Sequence, residues 1–359
     1  MLPAIRRFAF RRFRSAETRL HELNYLFWEC TTRCNLNCLH CGSDCSREGG
    51  HPDMPREDFL AALDTIPSPA KHFIVVLTGG EPLLRKDLET CGMEIRKRGM
   101  RWGMVTNGHL YSRERHGSLL AAGMGALTIS LDGMAGSHDW LRNTPGSFQR
   151  VDRAIGLAAG SPRLNFDVVT CVHQRNMGEL PEIHDYLVSK GVKAWRLFTI
   201  APIGRAREHP ELFLEDKQFK QMLDFITKRR KSGPLDVKFS CEGYVGEYES
   251  RVRDTPFFCR AGINIGSILI DGSIADCPNI DRSFSQGNIY RDNFFDIWQT
   301  EYEPFRDRSW TKTGPCAECP EYRDCLGNGF HLWHGEKKEV LVCHKAKLDR
   351  AKEMAAPES

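Results

Sequence analysis

"LNYLFWECTTRCNLNCLHCGSDC", residues 23–45, runs from a β-rich stretch straight into a loop with five cysteines: Cys30, Cys34, Cys38, Cys41 and Cys45. Its first nine residues read as a strand, and outward from them a rhythm begins. "REDFLAALDTI" reads as a helix, "HFIVVLT" as a strand, and "KDLETCGMEIRKRG" as a helix ending at Gly99. "RWGMVT", "ALTISL", "NFDVVTCV" and "AWRLFTI" are further strands. Helices are expected near 112–123 and 148–160, over "GELPEIHDYLVSKG", and near 215–231. Short β-rich runs alternating with helical patterns specify βαβ units and a parallel sheet. Six such units in roughly 215 residues predict an α/β fold, a partial (β/α)6 barrel of TIM type rather than a closed eight-fold one. After about residue 235 the rhythm stops. "ILIDGSIADCPN" reads as a hairpin with an Asp-Gly turn, and the remainder is short, loop-rich and cysteine-bearing. The expected division is a basic segment at 1–20, a core domain at 21–235 and a small α+β domain at 236–359, with the boundary at "KSGPL".

The chain of 359 residues is 41% hydrophobic and 27% charged, enough to bury a sizeable core. A net charge of +3 is not that of a polyanion binder, so no nucleic-acid partner is expected. No run of apolar residues is long enough to span a bilayer, and no secretory signal is visible. The expected location is a reducing, cytoplasmic one. Clustered cysteines there bind metal or react more often than they pair. Fourteen are present, five in the opening stretch and a late group of Cys259, Cys277, Cys316, Cys319, Cys325 and Cys343. Cys91, Cys171 and Cys241 stand apart, and Cys91 and Cys171 read as ordinary small buried residues. The first 16 residues hold Arg6, Arg7, Arg11, Arg12 and Arg14 with Phe8, Phe10 and Phe13 interleaved. That is either an amphipathic segment for an anionic membrane surface or a partner, or a solvated basic tail.

In parallel α/β architectures function collects at the C-terminal ends of the strands. The five cysteines follow the first strand. Gly79, Gly80, Glu81 and Pro82 follow the second, and Thr106, Asn107 and Gly108 the third. Ser130 and Asp132 end the fourth, Gln174 and Asn176 follow the fifth, and Pro202, Gly204 and Arg205 the sixth. All lie on one rim, which predicts one large site. Within it, Cys34-x3-Cys38-x2-Cys41 offers three thiolates for three irons of a [4Fe–4S] cluster and leaves the fourth iron open. Three cysteines also suit part of a zinc site.

The C-x3-C-x2-C spacing, with His40 before the last cysteine, and "GGEP" after the second strand resemble the two hallmarks of radical S-adenosylmethionine enzymes. The resemblance covers residues 21–230. It implies that the open iron chelates the amino and carboxylate groups of S-adenosylmethionine. It further implies that Gly79, Gly80 and Glu81 meet the methionyl ammonium, Ser130 lines the ribose, and Arg142 pairs with the methionyl carboxylate; Asn107 and Asp132 are weaker candidates. Cys30 and Cys45 are expected to be non-ligands, since a fourth thiolate would close the open iron.

The late cysteines are similar to the SPASM domain, which carries auxiliary iron–sulfur clusters in peptide-modifying radical enzymes. Cys316, Cys319, Cys325 and Cys343 would make one complete cluster, although four thiolates also suit zinc. The second auxiliary cluster departs from the pattern. A further cysteine is expected four positions after Cys325, and Gly329 stands there. Cys259 and Cys277 remain, with Cys241 as the third candidate ligand; the rival reading is that no cluster forms.

The resemblance thus implies reductive cleavage of S-adenosylmethionine to a 5′-deoxyadenosyl radical. That radical takes hydrogen from a peptide or protein side chain, with electrons from a low-potential donor such as flavodoxin or ferredoxin. Sulfatase-type maturases place a carboxylate just after the cysteine matching Cys277, and here Pro278 follows it. Among SPASM proteins the chain is similar to a Bacteroidetes group linked with small lipoproteins. Two other classes stand beside this reading: an iron–sulfur electron carrier and a zinc-bound scaffold. Neither gives "GGEP" or the open three-cysteine loop a use.

Overall fold

The computed structural model describes residues 3–354 except Lys71, Lys231 and Cys241. Seven strands lie side by side in sequence order: β1 (Tyr25–Thr31), β2 (Ile74–Gly79), β3 (Arg101–Thr106), β4 (Met124–Ser130), β5 (Asn165–Val172), β6 (Ala194–Thr199) and β7 (Asp236–Phe239). Every neighbouring pair is parallel. Each crossover carries one of the expected helices, Arg56–Asp64, Leu88–Lys97, Arg113–Ala121, Ser147–Ala159, Leu180–Ser189 and Asp216–Arg229. The periodicities explain why. Helix Ser147–Ala159 buries Val151, Ala154, Ile155 and Ala158, one stripe at three- and four-residue spacing. β5 alternates, burying Phe166, Val168, Thr170 and Val172. On β1 the fully buried Trp28 stacks on Phe59 at 4.1 Å, with the Arg85 guanidinium 4.9 Å above its ring.

The rhythm runs one strand past the point where it was expected to stop. β7 pairs with β6 from Ala194↔Asp236 to Leu197↔Phe239. Its four residues follow Gly233-Pro234 and no helix succeeds them directly, so locally they look like linker. The expected hairpin forms from β8 (Ile265–Ile268) and β9 (Ser273–Ala275), turning at Asp271-Gly272 with Gly272 at φ +83°. It also joins the main sheet. β8 lies parallel to β1, Tyr25↔Ile265 to Trp28↔Ile268, so one sheet of ten strands runs β10 (Gly287–Asn288), β9, β8, β1 and on to β7. Its two ends are not bonded to each other, so the barrel is open.

The basic N-terminal segment is a helix, Pro3–Leu20, docked on the late cysteine region. Arg11 grips Asp324 with two bonds, Nε to Oδ1 at 2.5 Å and Nη2 to Oδ2 at 3.0 Å. The buried Arg14 donates to the carbonyls of Asp324 (2.6 Å) and Arg323 (2.9 Å). Phe10 and Phe13 lie 6.0 and 6.3 Å from the Phe258 ring. The segment is therefore not a frayed tail, and part of its basic and aromatic pattern is engaged internally. Ile5, Phe8 and Leu20 remain exposed. Among the described residues no helix is long and apolar enough to cross a membrane. At the other end, helix His344–Glu353 packs on Asp216–Arg229, with Arg350 on Asp216 at 2.5 and 3.1 Å, and so fixes Cys343 at its N-terminus.

Candidate active site

The C-terminal ends of β1 to β6 open into a cavity of about 290 Å³. Cys34, Cys38 and Cys41 face it, as do Gly79, Gly80, Asn107, Ser130 and Arg142, so eight of the nine residues expected at the first cluster and its cofactor meet in one place. The ninth, Glu81, does not. Its carboxylate is fully buried and accepts from the Thr106 hydroxyl (2.7 Å), the Asn107 N–H (2.8 Å) and the Leu83 N–H (3.1 Å). It ties β2 to β3, and only its backbone is left for an ammonium. The two glycines before it are required by close approach. Gly80 N–H donates to the Thr31 carbonyl at 2.7 Å. A Cβ on Gly79 would lie 2.0 Å from that carbonyl oxygen, and one on Gly80 2.2 Å from the Arg33 oxygen. Backbone must move to admit either, so Gly80→Ala is expected to displace Arg33 and Cys34 and to lose iron from the first cluster, read as iron per chain after reconstitution.

The cysteine loop is held from β6. Arg205 donates Nη1 to the Cys38 carbonyl (2.8 Å), Nη2 to the Cys45 carbonyl (2.8 Å), and its N–H to the Cys41 carbonyl (3.0 Å). Arg142, buried, pairs with the fully buried Asp132 and points Nη1 at the Cys38 sulfur, 3.6 Å away. It was expected to wait for a carboxylate; it already has one. Burial alone would raise Asp132, but Arg142 beside it holds the carboxyl at about 2. Burial pushes the Cys34 thiol up to about 12 and raises Cys38 against the pull of Arg142. Cys41 is lowered to about 6, first by a hydrogen bond from the Cys45 thiol and then, against burial, by the Cys45 N–H and Arg205. Cys45 thus lines the cavity at the third thiol, while Cys30 is turned into the core, donating to the Thr78 carbonyl at 3.3 Å. Cys91 is the buried residue expected, but Cys171 is not: it faces the cavity.

Do these residues suit an iron–sulfur cluster or one zinc ion? Among the described residues, the only three donors all within 4.8 Å of one another are His40, Asp132 and Cys171, and that carboxylate is paired with Arg142. The three thiols therefore do not converge as sulfurs do on one zinc, about 3.8 Å apart for bonds of about 2.3 Å. The wider spacing fits a cluster, in which each thiolate takes its own iron. Two further atoms on the cavity wall, His40 Nδ1 and His331 Nε2, are buried without a partner, as expected where a polar guest sits.

Glu242, His331, Asn279 and Thr199 close the cavity from the β6 and late-domain side. Sequence reasoning missed all four, because they follow no strand of the recognised rhythm or, for Thr199, lie just inside one. Burial raises Glu242 to about 7, although it accepts from the Thr199 N–H (3.1 Å) and hydroxyl. The unfolded chain would ionise this group near 4.5, so between those values the folded state binds more protons and stability falls as pH rises. Glu242→Gln should flatten the pH dependence of the urea midpoint between about 4.5 and 7; an unchanged slope assigns the effect to another group.

The late cysteines split. Cys316 is raised to about 11 and Cys325 to about 12, first by burial and then by the neighbouring thiols, Cys343 and Cys319 on the first, Cys343 and Cys316 on the second. These four thiols form one group. Cys259 lines a cavity of about 280 Å³ beside Arg308 and Arg14. Cys277 packs on the core and lines neither cavity. Cys241 lies outside the described residues.

Comparison with known proteins matches this geometry. The model of the radical SAM superfamily matches residues 28–187, and that of the iron–sulfur cluster-binding SPASM domain matches 259–320. The chain carries a radical SAM domain and a SPASM domain. As a radical SAM enzyme with a SPASM domain it uses a [4Fe–4S] cluster with S-adenosylmethionine, and auxiliary iron–sulfur chemistry in its late region. Its relatives include the AdoMet-dependent heme synthase of Nitratidesulfovibrio vulgaris, 27% identical over 318 residues, covering 84% of this chain and 85% of the relative. Mycofactocin maturase MftC of Mycobacterium tuberculosis is 27% identical over 309 residues, covering 84% and 77%. Among solved structures, native anSMEcpe with bound AdoMet and Kp18Cys peptide shares the fold of this radical SAM protein. Its TM-score is 0.71 at 17% identity, over 92% of this chain and 95% of that one. Streptococcus suis SuiB bound to the precursor peptide SuiA gives 0.67 at 16%, over 88% and 74%.

Proposed function

We propose that this enzyme abstracts a hydrogen atom from a peptide or protein side chain as a step in its maturation. Cys34, Cys38 and Cys41 hold the first cluster, and S-adenosylmethionine sits against them along Gly79, Gly80, Asn107, Ser130 and Arg142, with Glu81 contributing backbone only. When bound, cluster and cofactor supply a 5′-deoxyadenosyl radical by one-electron reductive cleavage. The protein's own part is positional. Arg205 fixes the cysteine loop, Arg142 and Asp132 cancel each other's charge beneath it, and buried, neutral His40 keeps that wall free of competing charge.

The observation that carries the substrate reading is the cavity's poverty in cations. Arg142 is the only Lys or Arg among its described lining residues, and it already faces Asp132 and Cys38. An uncharged or singly charged side chain suits such a wall, and the likeness to MftC supports a peptide. A second reading, an iron–porphyrin substrate, is favoured by the heme synthase relatives. It would bring several carboxylates to a wall with no arginine or lysine to spare among those residues. Anaerobically reconstituted enzyme should form 5′-deoxyadenosine on reduction and shift the mass of a peptide encoded beside its gene on co-expression. Turnover of iron–coproporphyrin III with no peptide change would establish the second reading.

We further assign the division at 1–20, 21–235 and 236–359, with β7 at the start of the last part completing the core sheet, a cytoplasmic location, a flavodoxin- or ferredoxin-type donor, and peripheral contact of residues 1–16 with anionic membrane. Arg11 and Arg14 are engaged internally, so deleting the segment would confuse docking with membrane binding. Ile5→Glu with Phe8→Glu changes only exposed positions and should weaken vesicle binding roughly tenfold; equal binding ends the membrane assignment.

A further inference from the structure

Five cysteines among the described residues line the active cavity. Four belong to the loop after β1. The fifth, Cys171, comes from the end of β5 and has no part in the first cluster. On β5 the buried residues alternate with the half-buried Asp167, Val169 and Cys171, which share the other face. On one side lies β4, ending at Ser130, and on the other β6, ending at Thr199. Cys171 therefore stands between the residues assigned to the cofactor and those that close the cavity from the late-domain side.

Its backbone is clamped. The Cys171 N–H donates to Asp132 Oδ1 at 2.8 Å, and its carbonyl accepts from Nδ2 of the buried Asn176 at 2.9 Å. The sulfur takes no part in these bonds. It packs beside an apolar cluster of Leu141, Ile200, Ala206 and Leu212. A ring nitrogen of His40 and a carboxylate oxygen of Asp132 lie within 4.8 Å of it. Burial pushes the thiol well above its usual range, so it stays protonated and is neither a nucleophile nor a thiolate ligand. On the same wall, His40 Nδ1 and the Nε of the buried Arg142 lack a partner, as expected where a guest sits.

A protonated thiol offers a reaction that a hydroxyl or an amide does not: its S–H bond is weak enough for a carbon radical to take the hydrogen. We propose that Cys171 is a catalytic hydrogen-atom donor, which closes the substrate radical as a C–H bond. This deepens the hydrogen-abstraction reading above and rests on it. The 5′-deoxyadenosyl radical breaks a C–H bond of the substrate, leaving 5′-deoxyadenosine and a carbon radical. That radical takes the Cys171 hydrogen, so a C–H bond forms, the S–H bond breaks and a thiyl radical remains on Cys171. An electron from a low-potential donor, the class that also starts the cycle, and a proton from solvent restore the thiol. The substrate leaves with as many hydrogens as it brought, changed in configuration or connectivity rather than oxidised.

The test is made in D2O, where the Cys171 thiol carries deuterium. Without peptide, the deoxyadenosyl radical has only the cavity wall to react with. The reconstituted full chain, given S-adenosylmethionine and dithionite, should form 5′-deoxyadenosine with a single added deuterium. Cys171→Ser and Cys171→Ala should lose that label, while Cys91→Ala, in the core, should keep it. The label is read per molecule formed, so it is independent of rate. Both Cys171 variants should keep the native iron content; loss of iron in both would overturn the proposal by making Cys171 a ligand. Label that persists in both, or that is lost in Cys45→Ala in their place, would overturn it equally. With the peptide encoded beside the gene, the native enzyme should place a single deuterium on the product carbon and Cys171→Ser none. If no peptide reacts, the peptide reading fails, and the label in 5′-deoxyadenosine still decides for or against Cys171.

Discussion

A variant carrying Cys34→Ala, Cys38→Ala and Cys41→Ala is expected to form no 5′-deoxyadenosine from S-adenosylmethionine while keeping its auxiliary iron. The size of the effect follows from what the thiols do. Loss of a group that merely supports a metal ligand costs about 10–100-fold. Loss of the ligands themselves removes the centre at which the cofactor is reduced, and no other group in the cavity supplies an electron. The fall should therefore exceed 100-fold and reach the detection limit. About four irons should be lost and the auxiliary iron kept, since the Cys316, Cys319, Cys325 and Cys343 group lies on other loops. Unchanged cleavage in the triple variant would refute the ligand assignment. Loss of all iron would show instead that the two regions fold only together.

The second large effect is one of stability. Arg142→Met should lower the unfolding temperature by on the order of 10 °C. The pair with Asp132 is buried on both sides, and removing one member of such a pair strands the other charge at a cost of about 3–5 kcal/mol. Arg142→Met combined with Asp132→Asn should recover most of the loss. Asparagine keeps an acceptor for the Cys171 N–H, which now donates to Asp132 at 2.8 Å, without leaving a bare charge. A double variant no more stable than Arg142→Met alone would mean that the arginine acts through the Cys38 sulfur rather than through the carboxylate.

What was legible in the sequence was whatever repeats locally or is spaced tightly. The six crossover units declare themselves through periodicity, and the three thiols of the first cluster lie within eight residues on one loop. What was not legible depends on partners far apart. β8 joins β1 across 240 residues, with no local signal that its free edge is the one used. Glu81 was read as a ligand because its neighbours are, yet β3 supplies the donors that turn its carboxylate inward. Arg142 was rightly placed at the cavity, but its counter-ion at Asp132 sits ten residues away on another element. His331 and Glu242 reach the wall from a region whose loops carry no period at all.

The docking of the first helix has a consequence for electron flow. Arg14 and Arg308 come from opposite ends of the chain, and both place positive charge by Cys325, with Arg11 bound to the adjacent Asp324. A collar of guanidinium groups around a thiolate-held cluster favours its more negative, reduced form and raises its midpoint potential. The same contacts make the N-terminal helix a strap over the ligand loop, so trimming that helix would lower the potential of a cluster held there, even with every cysteine in place.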